Sequence, residues 1–110
     1  MTRFRKIAAA LIGLASVAAA TGPAAAKPAR CFASDDGYFQ CDFRVIDRRG
    51  SFEIEGPDAT YTLLIDTPGF ATGFVNVGTR NISLPGQYVR QSDDPACWNN
   101  PETNTKICAW

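Results

Sequence analysis

Histidine is missing from all 110 residues. Without an imidazole the chain can build no Ser-His-Asp or Cys-His arrangement, no histidine general base and no histidine-based zinc site. A G-x-S-x-G elbow, a phosphate-cradling glycine loop and a dinucleotide fingerprint are also absent. Basic charge is scarce. Beyond residue 26, eight Lys and Arg residues face eleven Asp and Glu, leaving three net negative charges. That stretch lacks the cationic footprint for nucleic acid and the basic amphipathic helix of a membrane-surface protein. Its one basic cluster, Arg44, Arg48 and Arg49, is diluted by Asp42, Asp47, Glu53 and Glu55 and reads as a solvated hairpin end.

Metal chemistry finds little support. The four cysteines show no C-x-x-C spacing, and Asp35-Asp36-Gly37 lacks the alternating oxygen ligands of a calcium loop. Carboxylate pairs do occur, at Asp35-Asp36, at Asp93-Asp94 and at Glu53 with Glu55. Two carboxyls about 5–9 Å apart suffice for glycoside hydrolysis, but a small β domain has little room for the cleft that raises one pKa. Aspartates beside turns ordinarily serve local backbone hydrogen bonds. No enzymatic activity, cofactor or metal is expected.

The long apolar run comes first. Met1 to Lys6 is a basic head, Ile7 to Ala20 an alanine-rich apolar stretch, Gly22-Pro23 a break, and Ala24-Ala-Ala26 places small residues before Lys27. This order predicts a cleaved secretory leader over 1–26. Its fourteen-residue core is shorter than the roughly 20 residues a membrane-spanning helix needs, so no stable membrane insertion is expected after cleavage. The alanine-rich core points to a bacterial periplasmic or secreted product. Residues 26–30 do not form a lipobox before Cys31.

Residues 27–110 predict a single domain near the size where one core is barely sufficient. An even number of cysteines in an exported chain predicts two disulfides. Three connectivities are open. Cys31–Cys41 with Cys97–Cys108 is favoured because each span contains its own turn.

The texture of this region is short β-branched and aromatic runs, punctuated by Gly, Pro, Asp and Asn every eight to twelve residues. It predicts an all-β fold, a small antiparallel meander, sandwich or barrel of seven or eight short strands. A first hairpin turns at Asp35-Asp36-Gly37. A four-residue loop over 47–50 aligns Val45 with Phe52 and Phe43 with Ile54 on an apolar face, and Arg44 with Glu53 on the other. Thr60 to Ile65 alternates with Tyr61, Leu63 and Ile65 inward, and Thr67-Pro68-Gly69 has the order of a type II turn. Gly73 marks a bulge or a close backbone approach. A loop over 78–81 would pair Val77 with Ile82 and Val75 with Leu84.

The last fourteen residues carry the most specific pattern. Folded about Pro101–Asn104, they oppose Cys97 to Cys108, Trp98 to Ile107 and Asn99 to Lys106. One register then satisfies both apolar alternation and the disulfide. Trp98 is expected in the core. Trp110 falls on the opposite face, as a lid over the sheet edge or an exposed contact, and exposed aromatics anchor protein interfaces and stack on sugars. Trp98, Asn99, Asn104 and Trp110 are therefore the candidate binding residues.

In size and architecture the chain resembles bacterial periplasmic lysozyme inhibitors and other small envelope modules, without matching an inhibitor motif. The expectation is an exported, non-enzymatic binding module, inhibitor-like, with an envelope protein or glycan as partner. The alternative is a structural or assembly protein of the bacterial envelope.

Overall fold

The structure, a computed structural model, describes residues 26–110. The leader expected over 1–26 lies outside the described residues except for Ala26. Nine strands and no helix are present among them: β1 Lys27–Ala33, β2 Gly37–Val45, β3 Phe52–Glu55, β4 Thr60–Thr67, β5 Phe70–Asn76, β6 Asn81–Ser83, β7 Tyr88–Arg90, β8 Cys97–Asn100 and β9 Thr105–Ala109. Neighbours are antiparallel and, apart from β1–β9 and β5–β7, consecutive in the chain. β9 pairs with β1 and β4 with β5, so eight strands close into a meander barrel. β6 is the additional strand. It lies beside the second half of β5, while β7 takes the first half.

Alternation puts the core inside the barrel. Ile54 and Leu63 are fully buried, as are Trp98 and Ile107 to within a few per cent. Each such side chain contributes about 1.5–3 kcal/mol by leaving water. Both expected disulfides are formed, Cys31–Cys41 and Cys97–Cys108. The first lies on the inner face and bridges β1 to β2 diagonally, since Cys31 opposes Phe39. The second joins residues directly opposite on β8 and β9, with Cα atoms 4.1 Å apart, the close spacing of a non-hydrogen-bonded pair.

Most expected registers are observed. β2 opposes β3 with Val45 at Phe52, Arg44 at Glu53 and Phe43 at Ile54, and Arg44 forms an ion pair with Glu53. The β4–β5 turn places Gly69 at φ +86°, the left-handed third position of a type II turn that glycine accommodates. Three details differ. β1 starts at Lys27, ahead of the expected hairpin. Val45 is half exposed although Phe52 opposite is buried, because β2 ends there at the barrel's rim. The β5–β6 hairpin pairs Val75 with Ile82 and Asn76 with Asn81, two residues away from the expected register. Ile82 and Val77 are consequently exposed. A two-residue slip keeps every side chain on its face, so alternation cannot detect it. What selects the observed register is Leu84, whose N–H donates to Gly73 O at 2.9 Å. This sets a bulky residue opposite one with no side chain.

Candidate functional site

The two barrel ends are built differently. At one end lie the loops after β1, β3 and β8, and aromatic side chains plug the interior. The Tyr61 hydroxyl donates to Asp36 at 2.8 Å, and Tyr88 Oη lies 3.4 Å from Thr105 Oγ1. Burial, reinforced by the bond to Asp36, holds the Tyr61 phenol well above its ordinary pKa. Gly73 is where Tyr88 crosses the interior. A Cβ there would lie 2.6 Å from the Tyr88 ring, which realises the close approach expected of this glycine.

The other end is open. The loop after β2, the β4–β5 turn and the loop after β7 surround a cavity of about 660 Å³. Its wall is apolar and largely aromatic, with Phe43, Phe52, Ile65, Trp98 and Ala109. The Phe43 and Phe52 rings lie 5.3 Å apart, and Phe52 and Trp98 6.4 Å. Its polar lining includes Arg49, Asp66 and Arg90.

Each arginine is held by its loop. Asp47 Oδ1 accepts from the backbone N–H of Arg49 at 2.9 Å and of Ser51 at 3.0 Å, and Ser51 Oγ accepts from Ile65 N–H at 2.8 Å. Ser51, these N–H groups and nearby Arg49 hold the Asp47 carboxyl below its ordinary pKa. The backbone at Arg90 anchors to the β4–β5 turn, its amide N–H donating to Gly69 O at 2.9 Å. The Arg90 Nε donates to Pro95 O at 2.8 Å, and its guanidinium carbon stands 5.6 Å from the Trp98 ring centroid. The loop carrying Pro95 is pinned by Asp94, which accepts from Ala96 N–H at 3.1 Å and from Trp110 Nε1 at 3.1 Å.

The barrel separates the four candidate binding residues. Trp98 points inward and lines the cavity. Asn99 lies on the outer face of β8, half-buried, with its side-chain oxygen unpartnered among the described residues. Asn104 is at the plugged end with φ +55°, a left-handed turn conformation that asparagine tolerates. Trp110 is 48% exposed on the outer wall and stacks on Tyr38, centroids 6.1 Å apart. Tyr38 also touches Phe32 and carries the Arg30 guanidinium 4.7 Å above its ring. Sequence reading missed Tyr38 and the cavity's arginines. Outward alternation in β2 could have singled out Tyr38, whereas the arginines meet only when the barrel closes.

Asp36 and Asp94, weighed above as parts of carboxylate pairs, belong to opposite ends of the barrel. Among the described residues, no three His, Cys, Asp or Glu side chains gather where they could hold a metal ion. No protein-family model matches the chain, and no curated protein or solved structure gives a significant match.

Proposed function

We propose that this is an exported, non-enzymatic binding barrel that holds a small ligand at its open end. The observation that carries the reading is the cavity of about 660 Å³ with its aromatic wall and polar rim. Its volume falls within the roughly 300–1,000 Å³ of small-molecule sites. Eight strands is the size at which a barrel interior is either filled by side chains or holds one small ligand, and this interior does one at each end. The two disulfides fit an oxidising compartment. With the leader pattern, they support a bacterial periplasmic or secreted location.

The test uses a neutral apolar fluorophore, phenylnaphthylamine, on the oxidised protein. We expect saturable one-site enhancement that disappears in Ala109→Trp, which fills the cavity, with thermal unfolding of that variant retained. No enhancement, or enhancement unchanged in a folded Ala109→Trp variant, would refute the reading.

A second reading rests on the outer wall. Tyr38 and Trp110, 62% and 48% exposed, offer a stacked aromatic pair with Arg30 beside it. Such a surface suits an envelope glycan or protein. Loss of binding to an identified partner in Tyr38→Ala or Trp110→Ala would support it.

A further inference from the structure

The wall of the open cavity is apolar, but the charge at its rim has one dominant sign. Arg49 and Arg90 both line it. Among the described residues, neither has a carboxylate within ion-pair distance, although the Asp47 carboxylate is close enough to Arg49 to feel its charge. The acidic residue of the lining, Asp66, has one carboxylate oxygen already engaged. Its Oδ2 accepts the Thr72 hydroxyl at 2.8 Å, and Thr72 lies between inward-facing Ala71 and Gly73 and so on the outer face of β5.

The arginines are also placed with donor capacity to spare. Arg90 spends its Nε on Pro95 O and rests over Trp98. Its two Nη groups have no protein acceptor among the described residues. Arg49 Nη1 makes only long contacts, 3.4 Å to Ile65 O and 3.5 Å to Asp66 O. A guanidinium offers five N–H donors in a planar fork that matches a carboxylate. Held at the edge of an apolar cavity, it is less screened than in open solvent, and an anion brought there gains more from it. The protein beyond residue 26 is acidic overall, with eleven acids against eight bases, so two unpaired arginines at one cavity form a local exception.

From this arrangement we infer that the cavity takes an amphipathic carboxylate, its apolar body against Phe43, Phe52 and Trp98 and its carboxylate between Arg49 and Arg90. The inference rests on the cavity being the binding site and adds the ligand's class. Arg90 sets the head-group position because two contacts fix its guanidinium. Arg49, whose guanidinium makes only long contacts, closes on the second oxygen.

Three ligands of equal chain length test it: octanoate, octanol and octyltrimethylammonium. The indole N–H resonance of Trp98, in the cavity wall, reads the result. Octanoate should shift Trp98 saturably. Octanol should bind about tenfold or more weakly, the scale of charge-assisted hydrogen bonds, and the ammonium compound more weakly still. Arg49→Gln with Arg90→Gln should abolish the advantage of octanoate over octanol measured on the same variant. Because Arg90 also supports the Pro95 loop, Arg49→Gln alone serves as the variant that leaves that loop intact, and it should still weaken octanoate selectively. Equal binding of octanoate and octanol, or tighter binding of the ammonium compound, would overturn the carboxylate assignment and leave the cavity reading standing. Failure of all three to move Trp98 would overturn both.

Discussion

Replacing Gly73 by alanine tests how the barrel is sealed at its plugged end. The added Cβ would lie 2.6 Å from Tyr88 Cε1, 3.1 Å from Cδ1 and 3.3 Å from Leu63 Cδ2. Carbon atoms settle at about 3.5–4.0 Å, so the ring must retreat by roughly 1 Å. It has little room to do so. Tyr88 is 3% exposed, its hydroxyl lies against Thr105, and Leu63 is fully buried beside it. Overpacking of this kind costs about 1–3 kcal/mol, and the rigid ring argues for the upper half of that range. Urea unfolding followed by tryptophan fluorescence should show a lower midpoint with an unchanged slope. In a Tyr88→Leu background the alanine should cost less than about 0.5 kcal/mol, since the ring is gone, giving a coupling above roughly 1 kcal/mol. If Gly73→Ala unfolds at the wild-type midpoint, or costs the same with and without the tyrosine, the packing argument is wrong.

Removing Cys97–Cys108 by paired alanines should cost about 3 kcal/mol by loop entropy, for a sequence separation of 11; chemical denaturation of the oxidised variant measures it. Asn100 is 1% exposed, donates to Pro85 O at 2.7 Å and accepts from the N–H groups of Glu102 and Thr103. Asn100→Ala strands those groups and should destabilise by about 1–3 kcal/mol, with amide exchange rising first over 101–104. Tyr61 sets an alkaline limit. Its folded pKa is raised, so its contribution is complete below the unfolded value of about 10. Above that, the unfolded phenol ionises while the folded one keeps its proton. Stability should then fall by up to about 1.4 kcal/mol per pH unit, and Tyr61→Phe should remove that component of the slope. A slope unchanged in Tyr61→Phe would assign the alkaline limit elsewhere.

The hairpins were legible because each of their constraints lies within a few residues. Cys97, Trp98, Ile107 and Cys108 fix one register between them, and Arg44 with Glu53 excludes a one-residue slip between β2 and β3. The β5–β6 register was not legible, since Val75 can meet either Ile82 or Leu84 without breaking alternation. Its determinant, Leu84 across from Gly73 under the Tyr88 ring, involves a residue on β7. The barrel could not be told from a sandwich for the same reason. The β1–β9 pairing joins the first and last described strands, and no local pattern in Cys31–Ala33 or Ile107–Ala109 names its partner. Arg49 read as a solvated hairpin end and Trp98 as core. Both descriptions are locally sound, and only closure brings them to one cavity.

Closure also explains where the disulfides are. In the order β2-β1-β9-β8, the two bridged hairpins stand on either side of the seam between β1 and β9. That seam carries three residue pairs, extended by Trp110 N–H to Arg30 O at 2.9 Å and Ser34 N–H to Lys106 O at 3.1 Å. Joining strands so far apart in sequence carries the largest loop-closure entropy in the fold, and few hydrogen bonds offset it. Neither disulfide crosses the seam. Each instead stiffens one of the two hairpins that must meet, so fewer conformations are lost when they do. Reduction should therefore open the β1–β9 seam before it melts either hairpin. The open end depends on that seam, because Ala109 lines the cavity and Trp110 ties down the Asp94 loop that holds Pro95 against Arg90. Ligand binding should accordingly fail at lower reductant than does the far-ultraviolet β signal. Loss of both together would place the disulfides' contribution in the barrel as a whole, not at its seam.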